Sequence, residues 1–172
     1  MPDLTAPGAP VLVIGAGIMG AGIAQVAAQA GHPVMLFDTR EGAAADARAK
    51  LGTTLQGLAA KGKLAPEAAE AALARITPVA TLDAARDAQL VIEAIVENLE
   101  VKRGLLRQLE AIVGPNCVLA TNTSSISVTA LANGLTHPGR LVGMHFFNPV
   151  PLMKLVEVVS GLHTEPAVAE AI

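Results

Sequence analysis

Short runs of consecutive apolar residues alternate along this chain with longer segments whose apolar positions repeat at helical spacing. The first run, Val11–Ile14, is rich in β-branched residues and is bounded by Pro10 and Gly15. A short continuous run of this kind is typical of a strand that is covered on both faces. Reading the other runs as strands too, we predict six, at residues 11–14, 34–37, 89–95, 117–121, 141–146 and 154–159.

The segments between these strands predict helices. One covers residues 18–30 and stops at Gly31, a residue type that readily ends helices. An Ala-rich helix is predicted over residues 42–60, and a second begins near Pro66, which suits a first helical position. Together these two form a helical hairpin. The remaining predicted helices lie at residues 98–113, at residues 128–132, and from a cap at Thr164 with a first turn at Glu165 and Pro166.

Strands that alternate with helices predict one fold class. Parallel strands need crossover connections, which are nearly always right-handed, and the helices of those crossovers cover both faces of the sheet. We therefore predict an α/β fold with a doubly wound, mostly parallel sheet and an inserted helical hairpin. At 172 residues the chain is long enough for one domain and short for two, with a core at about residues 10–161.

Composition excludes several classes of protein. Hydrophobic residues make up 52% and charged residues 16%, so excess charge does not keep the chain disordered. The net charge is −3 and no basic stripe exists, so we expect no nucleic-acid partner. Cys117 is the only cysteine, which excludes an intramolecular disulfide and a Cys-based zinc site. We expect no metal, and a cytoplasmic, reducing location.

The segment from Leu4 to Phe37 contains no Asp, Glu, Lys or Arg, and its length would suffice for a membrane span or a signal peptide. No basic region precedes it, glycines interrupt it, and the polar side chains of Gln25, Gln29 and His32 recur in its second half. We interpret this segment as a buried strand, a tight turn and a buried helix in series. No membrane association is expected.

The tight turn carries a glycine pattern, Gly15-Ala16-Gly17-Ile18-Met19-Gly20, after a strand and at the start of a helix. This is the context that the G-x-G-x-x-G loop of Rossmann-type folds needs. There the first glycine permits the turn, the second lets a pyrophosphate approach the backbone, and the third lets helix and strand pack closely. Free amides at the helix start face the anion. Close packing alone is the alternative explanation of these glycines.

Asp38 ends the second strand, 18 residues after Gly20. A carboxylate at this position accepts hydrogen bonds from the ribose hydroxyls of an adenosine and repels a 2′-phosphate. The position therefore favours NAD over NADP. Arg40 nearby offers a cation to a 2′-phosphate, and an ordinary strand-terminating Asp is the other alternative.

Three further positions are candidates for chemistry. His145 lies near the carboxyl end of a strand, where open α/β sheets bind ligands, although a structurally satisfied histidine is the alternative. The polar run at residues 121–125 also ends a strand, and its alternative is a turn in which Ser125 or Ser127 caps the next helix. Glu157 lies in an apolar stretch, where an unpaired carboxylate is costly, so we expect a cationic partner.

Together these motifs resemble the NAD-binding domain of the L-3-hydroxyacyl-CoA dehydrogenase family. The similarity extends from about Pro10 to Gly161, and its later motifs are far more specific than the glycine loop. The segments that carry the resemblance are Val13–Ala24, Val91–Asn98, Thr121–Ser125, His145–Pro151 and Met153–Glu157.

The resemblance implies a role for each matching residue. His145 matches the catalytic base, Glu157 the carboxylate that orients it, and Ser124 the serine that contacts the substrate oxygen and the nicotinamide end of NAD. The residues that match cofactor-contacting positions are Gly15, Gly17, Ile18, Met19, Gly20, Asp38, Ala94, Glu97, Lys102, Asn122 and Asn148. By a looser register, Thr54 and Lys61 match positions near the CoA moiety, and a solvated Lys61 is the alternative.

The resemblance also implies an activity, the oxidation of L-3-hydroxyacyl-CoA thioesters to 3-ketoacyl-CoA by hydride transfer to NAD⁺, as in fatty acid β-oxidation. Family members continue into an all-helical domain that supplies a catalytic Asn and the main dimer surface. We therefore expect a part of a longer, homodimeric dehydrogenase that binds NAD(H) but has little activity alone. The alternatives are a non-catalytic NAD-binding or redox-sensing module, and a dehydrogenase of a free hydroxy or sugar acid.

Overall fold

A seven-stranded sheet forms the framework of the protein, which a computed structural model describes over residues 4–172. Six of its strands coincide with the six apolar runs of the sequence. The strands are Val11–Ile14 (β1), Val34–Phe37 (β2), Ile76–Pro78 (β3), Leu90–Glu93 (β4), Val118–Thr121 (β5), Leu141–Phe146 (β6) and Val156–Val159 (β7).

The strand order is β3-β2-β1-β4-β5-β6-β7, and every neighbouring pair is parallel except β6 and β7. The order reverses between β1 and β4, because β2 and β3 lie on one side of β1 and the later strands on the other. The last residues of four parallel strands, Ile14, Phe37, Glu93 and Thr121, are in register. Open α/β sheets bind ligands beyond the carboxyl ends of their strands at such a reversal.

Helices cover both faces of this sheet, because alternate residues of each strand point to opposite sides. The helices are Ile18–Gln29 (α1), Ala43–Ala60 (α2), Pro66–Ala74 (α3), Leu99–Glu110 (α4), Val128–Ala132 (α5) and Pro166–Glu170 (α6). Val11 and Val13 join an apolar cluster with α1, α2 and α3, whereas Leu12 and Ile14 join a second cluster with α4 and α5. The predicted doubly wound, mostly parallel sheet is therefore confirmed.

The predicted helical hairpin is formed by α2 and α3, between β2 and β3 in the chain. Leu51 and Leu55 of α2 are buried in the same apolar cluster as Ala69 and Ala72 of α3. Small residues on α3 let the two helices pack closely on the sheet face that α1 also covers. The hairpin is thus part of the domain core.

Side chains cap two of the helices, and for α5 the cap is Ser127, one of the two serines that the sequence offers. Asn98 caps α4 and Ser127 caps α5, since each side-chain oxygen accepts the backbone amide three residues later, at 3.1 Å and 3.2 Å. Thr164 does not cap α6. Its hydroxyl instead donates to the carbonyl of Leu141 at 2.7 Å, and Glu165 occupies the cap position.

Some boundaries and short elements differ from the prediction. β3 has three residues and ends at Pro78, so no apolar run marks it in the sequence. β4 ends at Glu93, where the amide of Ile95 donates to the Glu93 carboxylate at 3.2 Å as the chain turns. β7 begins two residues later than predicted. Two 3₁₀ helices, Leu82–Asp87 and Pro138–Arg140, were absent from the prediction.

The charge-free segment up to Phe37 folds as β1, the glycine loop, α1 and β2. α1 has 12 residues and is therefore roughly 18 Å long, well short of the ~30 Å of a bilayer core. Over residues 4–172, no helix combines the length and the apolar character that a membrane span requires.

Candidate functional site

The glycine loop joins β1 to α1 and tolerates only glycine at two of its positions. Gly15 has a φ of +102°, and a Cβ there would lie 2.4 Å from the carbonyl oxygen of Ala94. A Cβ at Gly20 would lie 1.6 Å from the carbonyl oxygen of Gly15. At Gly17 an added Cβ meets no atom within 4 Å, so the space beside the loop is open to a ligand. The observed turn therefore fits the approach of a pyrophosphate to the backbone.

A cleft of about 830 Å³ opens at the carboxyl ends of β1, β2 and β4. Its volume lies in the range of roughly 300–1,000 Å³ that is common for small-molecule sites. Four of the predicted cofactor-binding residues, Gly15, Gly17, Asp38 and Ala94, line this cleft. The structure thus brings the glycine loop and the acidic residue to one cavity, at the reversal of the strand order.

Asp38 is tied to the glycine loop and to Arg40. Its Oδ2 accepts a hydrogen bond from the amide of Ala16 at 2.8 Å. Arg40 donates its backbone amide, Nε and Nη2 to the carboxylate at 2.9–3.0 Å. The hydrogen bonds from the Arg40 side chain, followed by those from the two backbone amides, hold the pKa of Asp38 well below its usual range, although partial burial opposes them. Asp38 is therefore charged at neutral pH.

A buried ion pair joins α4 to the end of β4. The side chains of Lys102 and Glu93 are both 0% exposed, and the Lys102 Nζ lies 2.9 Å and 2.8 Å from the two carboxylate oxygens. The Thr121 hydroxyl also donates to Glu93. Burial raises the pKa of the Glu93 carboxyl, and the Lys102 ammonium opposes that rise. Lys102, predicted as a cofactor contact, thus has its charge enclosed by carboxylates, and its contact with a cofactor stays a prediction.

Glu97 connects this ion pair to the loop after β5. Its Oε2 lies 3.5 Å from the Lys102 Nζ, and its Oε1 accepts hydrogen bonds from the Thr123 hydroxyl and from the amides of Ser124 and Ser125 at 3.2 Å and 3.4 Å. Burial raises the pKa of Glu97, but these hydrogen bonds and the Lys102 charge outweigh it and lower the pKa. The carboxylate therefore holds the loop that carries Ser124.

His145 and Glu157 face each other across the antiparallel strands β6 and β7. Opposite residues in this register share one face of the sheet, and the His145 Nδ1 lies 2.9 Å from the Glu157 Oε2. The sequence predicts a cationic partner for Glu157 in place of solvent. The structure gives Glu157 the imidazole of His145 as its partner, and because β7 is an edge strand the Glu157 side chain is still 53% exposed. The ring of Phe147 packs on the imidazole with centroids 4.6 Å apart.

A second cavity, of about 310 Å³, lies beside this pair. His145, Glu157 and Ser124 all line it. The structure therefore brings together the three residues that the resemblance assigns to the chemistry, although they come from β6, β7 and the loop after β5. Glu97, which holds the Ser124 loop, also belongs to the segment between β4 and α4 that borders the larger cleft.

The two predicted asparagine contacts differ in their surroundings. The Asn122 Oδ1 accepts the amide of Phe146 at 2.9 Å and so joins the end of β5 to the end of β6. Asn148 follows β6 and is exposed. The Asn122 side chain thereby positions the strand that carries His145. A cofactor contact of either residue stays a prediction.

The remaining predicted residues lie around α1 and α2. Ile18 is 78% exposed, and together with Thr54 it lines a cavity of about 400 Å³ between the two helices. Met19 packs against the apolar core. Lys61 follows the last residue of α2 and does not line this cavity. Of the two predicted CoA contacts, the structure therefore places only Thr54 next to the glycine loop.

Glu93 is a buried residue of this region that is absent from the predicted site, although two features of the sequence point to it. Glu93 is a charge at the end of an otherwise apolar strand. Lys102 lies four residues before Leu106 and seven before Leu109, on the buried side of α4. A charge on the apolar face of a helix requires a buried partner. The pairing itself depends on how α4 docks on the sheet.

Replacing Gly143 with Ala is expected to destabilise the β6–β7 pair. An added Cβ would lie 2.9 Å from the Cβ of Val159, so β7 must move and shift Glu157 away from His145. Overpacking of this kind costs about 1–3 kcal/mol, which urea denaturation measures. Gly57→Ala is the control, because it adds a Cβ in open space within α2 and should stabilise by about 0.5–1 kcal/mol. Equal stability of Gly143→Ala and the native protein would contradict this account.

Comparison with known proteins identifies the relatives of this chain. Residues 10–172 match the family described as 3-hydroxyacyl-CoA dehydrogenase, NAD binding domain. The chain is 50% identical over 160 residues to the 3-hydroxyadipyl-CoA dehydrogenase of Escherichia coli strain K12. It is 47% identical over 160 residues to a probable 3-hydroxybutyryl-CoA dehydrogenase of Deinococcus radiodurans. Each alignment covers 93% of this chain, but only 34% and 57% of the respective relative.

A solved structure has the same architecture. The crystal structure of 3-hydroxybutyryl-CoA dehydrogenase from Escherichia coli K12 superposes with a TM-score of 0.93 at 48% sequence identity. The match covers 96% of this chain and 35% of that one. The chain thus spans about a third to three fifths of the length of these relatives.

Proposed function

This chain belongs to the family of NAD-binding domains of 3-hydroxyacyl-CoA dehydrogenases, and from this we propose that its full-length protein oxidises L-3-hydroxyacyl-CoA to 3-ketoacyl-CoA. The cofactor of this family is NAD. The names of the relatives, which act on 3-hydroxyadipyl-CoA and 3-hydroxybutyryl-CoA, support an acyl-CoA thioester as the substrate. The family's chemistry requires a base beside the substrate hydroxyl.

The observation that carries the proposal is the hydrogen bond between His145 and Glu157. A carboxylate can only accept, so the His145 Nδ1 carries the proton that lies between the two groups. The Nε2 atom then has a free lone pair and serves as a base. A protein that only bound or sensed NAD would need neither a base nor a residue that orients it.

The proton transfer follows from this tautomer. We assign the Nε2 of His145 to take the proton of the substrate 3-hydroxyl as the C3–H bond breaks. A bound NAD⁺ would supply the acceptor for the hydride that leaves C3. Glu157 stabilises the imidazolium that forms, because its charge lies 2.9 Å from the Nδ1. In the reverse direction His145 returns the proton as an acid, and Ser124 holds the substrate oxygen from the other wall of the cavity.

The geometry also supports a placement for the cofactor. Asp38 would accept the hydroxyls of the adenosine ribose, and the amides at the start of α1 would face the pyrophosphate. The nicotinamide end would extend from Ala94 toward Ser124, since Glu97 and its hydrogen-bonded loop connect the two cavities. Thr54 is the proposed contact for the CoA moiety, with Lys61 at the far end of α2.

The proposal includes a homodimer in a cytoplasmic location. Apolar side chains around β7 support a covered surface on this side, because patches of this kind are usual at interaction sites. Leu152, Leu155 and Leu162 are 76%, 56% and 86% exposed. They lie in the segments immediately before and after β7, the strand that carries Glu157.

The test is an assay of the full-length protein with NAD⁺ and a panel of substrates, followed by NADH absorbance. The panel contains 3-hydroxybutyryl-CoA, a long-chain 3-hydroxyacyl-CoA, 3-hydroxyadipyl-CoA and free 3-hydroxybutyrate. We expect turnover with at least one thioester and none with the free acid. Turnover of the free acid alone would favour a hydroxy-acid dehydrogenase. Tight NADH binding with no turnover of any substrate would favour a sensing module.

A further inference from the structure

Arg40 is the one cation among the described residues that line the larger cleft. Its side chain is 70% exposed and donates two hydrogen bonds to Asp38, from Nε to Oδ1 and from Nη2 to Oδ2, each at 3.0 Å. Paired bonds of this geometry are the strongest that a guanidinium makes to a carboxylate. The same fork also matches the oxygens of a phosphate group.

The Asp38 carboxylate has no free acceptor in this arrangement. Its Oδ1 accepts from the backbone amide and Nε of Arg40, and its Oδ2 accepts from the amide of Ala16 and from Arg40 Nη2. A carboxylate offers about four acceptor positions, and all are taken. A ribose that donates its two hydroxyls to Asp38 must therefore displace the Arg40 side chain.

We propose that Arg40 is a specificity-determining residue, a ligand for a 2′-phosphorylated dinucleotide that Asp38 keeps neutralised. This inference rests on the proposed binding of NAD(H) in the cleft. Asp38 acts against a 2′-phosphate in two ways: its charge repels the phosphate, and its ion pair occupies Arg40, the one cation that lines the cleft within residues 4–172. Removal of the carboxylate frees the guanidinium at the position where the phosphate would lie.

Removal of the Asp38 carboxylate has three separate effects. The loss of a ribose acceptor weakens NADH binding. The loss of the repulsion between Asp38 and the phosphate strengthens NADPH binding whether or not Arg40 is present. The release of Arg40 strengthens NADPH binding further, and this additional gain appears only while the guanidinium stays in place.

The experiment measures the Kd of NADH and of NADPH by fluorescence titration of the full-length protein. The variants are Asp38→Ser, Arg40→Ala and the double variant, with Asp38→Asn as a second neutral form that keeps the side-chain shape. In Asp38→Ser we expect NADH binding to weaken and NADPH binding to strengthen, each by roughly 10- to 100-fold, as charged hydrogen bonds imply. In the double variant the NADPH gain should fall to the smaller part that comes from the lost repulsion between Asp38 and the phosphate. In Arg40→Ala, NADH binding should be unchanged or tighter, since a competitor of the ribose is removed.

Arg86→Ala in the Asp38→Ser background is the matched control. Arg86 is exposed and lines a different cavity, near the amino end of β4, so this change removes the same charge away from the cleft. The tighter binding of NADPH in Asp38→Ser should therefore be unchanged by Arg86→Ala. Two results would overturn the proposal: no NADPH gain in either neutral variant, or an equal gain with and without Arg40. Failure of the native protein to bind NADH would instead refute the proposed function.

Discussion

Replacing His145 with Gln in the full-length protein is expected to lower kcat by about 10²- to 10⁴-fold and to leave the Kd of NADH nearly unchanged. Glutamine can still hydrogen-bond to Glu157, but it has no basic nitrogen that takes up a proton. The cofactor contacts proposed for Asp38 and the glycine loop lie in the other cavity and are not altered. Steady-state kinetics with the preferred thioester and a separate NADH titration measure the two quantities.

His137→Gln is the matched control for this substitution. His137 is exposed on the loop before β6, at the opposite end of that strand from His145. It should therefore leave both kcat and NADH binding unchanged. If His145→Gln reduced turnover and NADH affinity by the same factor, the assignment of His145 as a base would be wrong, and the residue would instead support the cofactor site.

Replacing Lys102 with Met is expected to destabilise the protein by about 3–5 kcal/mol. The substitution removes the ammonium that lies 2.8 Å and 2.9 Å from Glu93 and leaves a fully buried carboxylate without a cation. Urea denaturation of the variant measures the loss. Burial already raises the pKa of Glu93, and removal of the Lys102 charge raises it further. The penalty should therefore shrink as the pH falls through the raised pKa of Glu93, because the carboxyl then takes up a proton in the folded state.

Two further variants test whether the unpaired buried charge of Glu93 causes the loss of stability in Lys102→Met. Lys102→Met combined with Glu93→Gln removes both charges and should recover most of the lost stability. Lys63→Met removes an exposed lysine after α2 and should change stability by no more than about 0.5 kcal/mol. A Lys102→Met protein as stable as the native one, at every pH, would contradict a structural role for this ion pair.

Much of the fold is predictable because local patterns decide it. The run Val11–Ile14 and the glycines that follow are specified by neighbouring residues alone, and the cap of α5 is narrowed to two serines, of which Ser127 is the one used. β3 is too short to produce a pattern, and it exists because β2 offers it a parallel edge. The Thr164 hydroxyl resembled a cap but bonds to the carbonyl of Leu141, 23 residues away.

The candidate site is only partly predictable, because its contacts join distant strands. His145 and Asp38 are marked by their places at strand ends. The contact of Glu157 with His145 depends on β7 turning back antiparallel, which no local pattern indicates. The burial of Lys102 depends on the docking of α4 against the end of β4. Glu93 lies at that end of β4, nine residues before Lys102 in the chain. Long-range packing decides both pairs.

The position of β7 at the rim of the sheet has a consequence for the base. β7 has four largely exposed residues and pairs on one side only, whereas the glycine loop grows out of β1 near the middle of the sheet. Short peripheral strands open locally at a lower free-energy cost than central ones. We expect that when β7 opens, the imidazole of His145 loses its hydrogen bond to Glu157, while the cleft beside β1 is not affected directly. On the proposed function, cofactor binding and the orientation of the base would then depend on parts of the sheet that differ in local stability.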